Sequence, residues 1–252
     1  MSKKLFVVSD IHSYYTPLKK ALDKKDFDPN NENHWLIVCG DAFDRGGESE
    51  EVLHFLMSLE RKILIKGNHD NLLKELCCRE VPFSYDYSNG TVQTIMDLGD
   101  MGMGYPFEKC CEITWNKTAA YRDLLVNYFE TKNYIFVHSW IPTNPGYVFE
   151  DRTLPTYDPY WRTATDDRWE ESMWLNPFHR ALAGLNQTGK TIVFGHWHCS
   201  AGHKLLGHTN DEFGRYSIWS PCFMDNAIGI DRCTAHTGEV NVLVLEDEFL
   251  EE

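Results

Sequence analysis

The chain has 252 residues, with 24 Lys and Arg against 38 Asp and Glu, for a formal net charge of −14. That length suits one large α/β domain with a full core, and the acidic balance argues against a broad nucleic-acid footprint, which needs clustered Lys and Arg. No apolar run approaches the roughly 20 residues that span a bilayer, so neither nucleic acid nor membrane is expected as a partner.

In chain order, the first predicted strand, Leu5-Phe-Val-Val-Ser9, runs into Asp10-Ile11-His12. Asp10 falls too early for a secretion leader, and a cytoplasmic protein is expected. Thr16-Pro17 reads as the cap and first turn of a helix that turns Leu18, Ala21 and Leu22 inward. The second strand, Trp35-Leu-Ile-Val-Cys39, stops at Gly40-Asp41-Ala42-Phe43-Asp44-Arg45-Gly46. Val52, Leu53, Phe55, Leu56 and Leu59 follow helical spacing. A third strand, Ile63-Leu-Ile-Lys66, leads into Gly67-Asn68-His69-Asp70. Helical spacing returns at Tyr121, Leu124, Leu125, Tyr128 and Phe129, ahead of a fourth strand, Tyr134-Ile-Phe-Val137, that ends at His138.

The stretch from Ile141 to Pro177 has weak periodicity, five prolines and, counting Trp140 at its edge, four tryptophans. Long irregular stretches of this kind are often lids or binding loops, so a cap over about 141–177 is expected to shape substrate choice. The alternative is an aromatic mini-core that only braces the sheet. Pro177–Gly184 then reads as helix, and Thr191-Ile-Val-Phe194 as a strand ending at Gly195-His196-Trp197-His198. Between them, Gly184-Leu-Asn-Gln-Thr-Gly-Lys190-Thr191 spells a phosphate-loop pattern. That motif works between a strand and a following helix; here the order is reversed, and the segment reads as a plain connection. Later strands are predicted at Arg215–Ser220, Ala227–Asp231 and Val240–Glu246. No linker or repeat divides residues 1–252.

Five strand ends thus carry Asp, Asn or His. Apolar runs of this kind are buried strands, and residues just past their ends converge on one edge of a sheet, where open α/β folds place their sites. Asp10, His12, Asp41, Asn68, His138, His196 and His198 offer carboxylate, amide and imidazole donors without thiolate. That mixture suits manganese, iron, nickel or zinc. The set exceeds what one tetrahedral ion needs and suits two ions sharing a carboxylate, an arrangement that in general clamps phosphate between ions roughly 3.5–4 Å apart.

The ordered blocks resemble the calcineurin-like metallophosphoesterases, whose motifs read DxH, GDxxD, GNH, a lone His and GHxH. Asp44-Arg45-Gly46 resembles the phosphoprotein phosphatase branch, whose bacterial and phage members are serine/threonine phosphatases or symmetrical dinucleoside tetraphosphatases. The resemblance implies a four-layer αββα sandwich, two mixed sheets flanked by helices, closed by a hairpin of the last two predicted strands. It implies two divalent ions, manganese foremost. Asp10 and His12 would hold the first, joined by His198, and Asp41 would bridge to a second held by Asn68, His138 and His196. It also implies His69 as the general acid, Asp44 as the residue that orients it, and Arg45 as a fork on two phosphate oxygens. Arg180 is the candidate for a second phosphate arginine, and Asn68 contributes to substrate binding as well.

The sequence departs from the pattern at Ser13, at Lys66 and at Asp70, which stands where GNHE carries Glu. The implied substrate is a phosphorylated protein or a small phosphate ester, with a serine/threonine-type phosphatase as the leading reading and dinucleoside polyphosphate hydrolysis as the second. Eight cysteines without zinc-type spacing read as thiols. Cys39 and Cys199 flank the metal blocks, which predicts inhibition by peroxide.

Overall fold

The computed structural model describes residues 2–149 and 152–250. Strand β1 (Lys3–Val8) is followed by helix α1 (Tyr15–Asp23), β2 (His34–Cys39), α2 (Ser49–Ser58) and β3 (Lys62–Ile65). A helical stretch comes next: α3 (Asn68–Arg79), α4 (Ser84–Asn89), α5 (Thr91–Leu98), α6 (Phe107–Lys117) and α7 (Ala119–Arg122). Strands β4 (Leu125–Val126), β5 (Phe129–Glu130) and β6 (Tyr134–Phe136) precede a hairpin of β7 (Thr143–Phe149) and β8 (Arg152–Tyr157). The chain continues through α8 (Asp166–Ser172), α9 (Pro177–Leu182), β9 (Thr191–Phe194) and α10 (Cys199–Leu205). It closes with β10 (Cys222–Met224), β11 (Ala227–Gly229), α11 (Thr234–Thr237) and β12 (Leu243–Asp247).

Two five-stranded mixed sheets carry the fold, ordered β12-β1-β2-β3-β4 and β10-β11-β9-β6-β5. In the first, β1 through β4 are parallel and β12 is antiparallel; in the second, β11, β9 and β6 are parallel. Side chains alternate across each strand, and the alternation sorts them into three apolar layers. Leu5, Val7, Ile37 and Cys39 meet Phe136 and Val193 between the sheets. Phe6, Val8, Leu36 and Val38 face outward onto α1, α2, α3 and α5. Ile135, Ile192 and Phe194 face the other way, onto Trp140, Trp161, Trp169 and Phe178. Helix, sheet, sheet and helix give the expected four layers. Among the described residues, no helix is long and apolar enough to cross a membrane.

Three expectations change. The helix expected over Tyr121–Phe129 stops at Arg122, and β4 and β5 take Leu125–Val126 and Phe129–Glu130. Those apolar residues extend the edges of the two sheets, and this pairing overrides the helical spacing. Arg215–Ser220 forms no strand. The two last predicted strands do not pair as a hairpin: β11 lies beside β9, whereas β12 lies beside β1 in the other sheet.

The phosphate-loop pattern does lie between a helix, α9, and a strand, β9. The stretch 141–177, of which 150 and 151 lie outside the described residues, is not simply irregular, since it contains the β7–β8 hairpin. Trp161 and Trp169 are buried and pack on Tyr128, with ring centroids 4.8 and 5.3 Å away. This part of the stretch is the aromatic mini-core; Trp174, 54% exposed, lies outside it. Trp161→Ala is therefore expected to cost about 3–5 kcal/mol, and Trp174→Ala to stay within about 0.5 kcal/mol. Urea unfolding of both variants checks the contrast.

Candidate functional site

The C-terminal ends of parallel neighbours lie on one edge. Asp10 and His12 follow β1, Asp41 to Arg45 follow β2, and Asn68 and His69 open α3 after β3. His138 follows β6 and His196 follows β9, so the face-to-face sheets bring both sets together. The chain turns sharply after β1, β2 and β9. Asp10, His12, Asp41, Asp44, Arg45 and His196 all have positive φ, between 49° and 76°. Non-glycine residues held in this region are strained and concentrate at functional sites. Gly67 is required for a different reason, because a Cβ there would overlap Oδ1 of Asp41.

Asp10, His12, Asp41, Asn68 and His138 are each at most 3% exposed, so each contact here is made away from bulk water. Nδ1 of His12 donates to the Phe43 carbonyl at 2.9 Å, and Nδ1 of His138 donates to the Cys39 carbonyl at 3.0 Å. These bonds fix both tautomers and leave each Nε2 as a lone pair aimed inward. Nε2 of His12 is 4.0 Å from Asp10 Oδ1 and 3.9 Å from Asp41 Oδ2. Nε2 of His138 lies 2.7 Å from Asn68 Oδ1, 3.5 Å from Asp41 Oδ2 and 3.2 Å from His196 Nδ1. The Asp10 carboxylate accepts the backbone N–H of His196 at 2.9 Å and so joins the two sheets.

The electrostatics fit a cation. Burial holds His12 and His138 below the ordinary histidine value, and burial with the neighbouring His138 takes His196 down to about 3. Burial alone would raise Asp41, but the imidazoles of His138, His69, His12 and His196 bring it below the usual carboxylate range. Neutral imidazoles beside an ionised carboxylate are the protonation states a metal needs. Burial, then the charges of Asp231 and Asp41, push Asp10 well up. Crowded buried carboxylates of this kind are what a divalent cation relieves. Two converging groups share Asp41: one with His12 and His69, the other with His138 and His196.

His69 can be assigned within the first group. Its Nδ1 donates to Asp44 Oδ2 at 2.7 Å, while its Nε2 lies 3.4 Å from Arg45 Nη2. A guanidinium beside Nε2 disfavours a dication there and favours a phosphate oxygen. Burial opposes the charged imidazole, yet Asp41 and the hydrogen-bonded Asp44 lift His69 above its ordinary value. Asp70, replacing the usual Glu, accepts the Gly67 N–H at 2.8 Å at the start of α3 and the Tyr121 hydroxyl at 3.0 Å.

Asp10, His12, Asp41, Asn68, His69 and His196, with Arg45, line a cavity of about 360 Å³. His198 reaches its wall but stands outside both converging groups, and its Nε2 pairs with Glu212 at 2.9 Å. Arg180 does not line the cavity. It sits two positions after the fully buried Phe178 on α9, and at 3.6 residues per turn that places it roughly 200° around the helix from the core-facing residue.

Trp174, from the stretch expected to shape substrate choice, lines the cavity; Asp231, Asn89 and Phe213 also line it, without having stood out in the sequence. Asp231 carried the same signal as the others, an acid at a predicted strand end, and burial raises it to about 6. Phe213 lies in a loop with no periodic signal. Cys39 and Cys199 are fully buried, and burial pushes both thiols up. Inaccessible neutral thiols resist peroxide, so the expected oxidative inhibition has no support at these positions.

Because Asp41 is common to both groups, Asp41→Asn is expected to lower metal content at both positions. Elemental analysis of dialysed protein reads this, and loss of a single ion would refute sharing.

The sequence profile described as calcineurin-like phosphoesterase matches residues 3–200. The chain is 40% identical over 67 residues to a symmetrical bis(5'-nucleosyl)-tetraphosphatase of Thioalkalivibrio sulfidiphilus, covering 26% of this chain and 24% of that protein. It is 42% identical over 64 residues to the one of Aeromonas hydrophila, covering 25% and 23%. The chain thus spans about a quarter of the length of these curated relatives. Among solved structures, a mutant of a cold-active protein tyrosine phosphatase superposes with a TM-score of 0.50 at 16% identity, over 96% of this chain and 75% of that one. A putative diadenosine tetraphosphatase gives 0.49 at 17% identity, over 99% and 95%. With a match over residues 3–200 and that family's ordered donors gathered at one sheet edge, the chain belongs to the calcineurin-like phosphoesterases.

Proposed function

We propose that the chain hydrolyses phosphoric esters with two divalent ions. The observation that carries this reading is the His69–Asp44 pair, set beside Arg45 at the border of a donor set that shares Asp41. Asp10 and His12, with His198 as a further donor after a rotation away from Glu212, would hold one ion. Asn68, His138 and His196 would hold the other, and Asp41 would belong to both. When bound, such ions supply an activated water and neutralise phosphate charge; manganese leads, with iron, zinc or nickel as alternatives.

The chain's own residues supply the rest. Arg45 holds two phosphate oxygens through its planar fork. His69 presents Nε2 to the departing oxygen and gives it a proton, while Asp44 fixes the ring through Nδ1 and stabilises its charged form. Neither Ser nor Cys is needed as a nucleophile.

For the substrate, the rim is informative. Trp174 and Phe213 are each 54% exposed and, with Trp197, border the cavity. Large rings left in water beside a phosphate site suit a ligand with a flat ring of its own. This favours a base-bearing polyphosphate, in line with the relatives named symmetrical bis(5'-nucleosyl)-tetraphosphatase. The second reading, a serine/threonine-type protein phosphatase, rests on the Asp44-Arg45-Gly46 block and the open mouth of the cavity.

Parallel turnover of diadenosine tetraphosphate and of phosphoserine and phosphothreonine peptides with manganese separates the two. Preferred nucleotide cleavage supports the ring-bearing substrate, and preferred peptide turnover replaces it with the phosphoprotein reading. His69→Asn is expected to cut turnover of unactivated esters by roughly 10²–10⁴-fold with metal content intact. Equal loss of metal and turnover would show that the residue is structural.

A further inference from the structure

Asp44 is more tightly held than a simple His–Asp pair requires. Its Oδ2 accepts the Thr91 hydroxyl at 2.7 Å as well as His69 Nδ1, and its Oδ1 accepts the Thr94 hydroxyl at 2.7 Å. The backbone N–H of Asp44 donates in turn to Thr94 Oγ1 at 3.0 Å. Asp44, Thr91 and Thr94 are all fully buried. Both threonines stand on the first turns of α5, nearly fifty residues along the chain from the carboxylate they hold.

The same segment touches the phosphate arginine. Gly90, with φ +85°, lies against the backbone of Arg45 so closely that a Cβ would overlap the Arg45 nitrogen. Asp44 and Arg45 are consecutive left-handed residues, φ 76° and 65°. Such a pair persists only where its surroundings over-determine it. Gly90 leaves room for the turn, Thr94 accepts its amide, and the two hydroxyls fix the carboxylate plane.

Resting on the reading of His69 as acid and Arg45 as phosphate fork, we propose that Gly90, Thr91 and Thr94 are positioning residues. Together they form a clamp by which the α4–α5 helical segment sets the angle of the acid and the place of the fork. Valine at 94 would leave Oδ1 without its donor and strip the Asp44 amide of its acceptor, and valine at 91 would leave Oδ2 with the His69 ring alone. The carboxylate would then be free to turn, and the His69 ring with it. Serine would keep both hydroxyls.

A general acid matters most for a poor leaving group, and that gives a readout a structural role would not move. Thr91→Val and Thr94→Val are expected to lose roughly 10- to 100-fold on phenyl or alkyl phosphate, part of the span a general acid supplies, and no more than about 3-fold on p-nitrophenyl phosphate. Metal content should hold with a modest fall in melting temperature from the lost buried hydrogen bonds, and Thr→Ser should restore the wild-type ratio of the two substrates. Equal losses on both substrates, or serine variants as impaired as valine, would overturn the clamp.

His69→Asn is the control. If it shows the leaving-group discrimination and the threonine variants do not, the clamp alone fails. If His69→Asn itself loses both substrates equally, the acid assignment fails and the clamp with it. Should the valine variants not fold, Gly90→Ala tests the same contact from the Arg45 side. It should weaken competitive inhibition by inorganic phosphate, and unchanged inhibition would overturn the proposal.

Discussion

A carboxylate at the bottom of a protein cannot remain ionised without partners; an uncompensated charge there costs several kcal/mol. Asp41 is such a group. It accepts the backbone N–H of His69 at 3.1 Å and lies within 4 Å of imidazole nitrogens from His12, His69 and His138. Those partners come from both sheets. A cation shared by these donors would compensate the charge, and the donors meet only where the sheets pack face to face with their parallel ends aligned, so the Leu5–Val193 apolar layer and the polar centre require each other.

The centre is held in shape by backbone that would not choose its own conformation. Left-handed residues recur at Asp10, His12, Asp41, Asp44, Arg45 and His196, where β1, β2 and β9 release the chain abruptly to project a donor over the sheet edge. Strain of this kind is sustained from outside. The supports are visible: the Phe43 and Cys39 carbonyls behind the histidines, the His196 amide on Asp10, and the α5 threonines behind Asp44. Residues that never approach a substrate therefore decide the angles at which those that do are presented.

Much of this was legible in the sequence, because a buried parallel strand and the donor at its end leave a joint signature: an apolar run that stops at Asp, Asn or His. That signature located β1, β2, β3, β6 and β9 and the donors that follow them. It was weaker where apolar residues serve sheet edges, as at Leu125 and Phe129, whose helical spacing was accidental. It could not orient Arg180, since the side of a short helix that faces a cavity depends on packing around Phe178. Thr91 and Thr94 carry no signal of their own, for buried threonines at helix starts are common and their partner is remote in sequence. The tryptophans between 141 and 177 were recognisable as a cluster, but only packing divides the buried pair from the exposed Trp174 at the cavity mouth.

The pairing of β1 with β12 sets Lys3 opposite Asp247 and Val7 opposite Leu243. Closing a loop of that span is entropically slow, and folds dominated by such distant pairings form late. A nascent chain leaving the ribosome would therefore carry its donors, spread from Asp10 to His196, unassembled through most of synthesis. Ions that bind only the assembled centre would draw the folding equilibrium toward the native state.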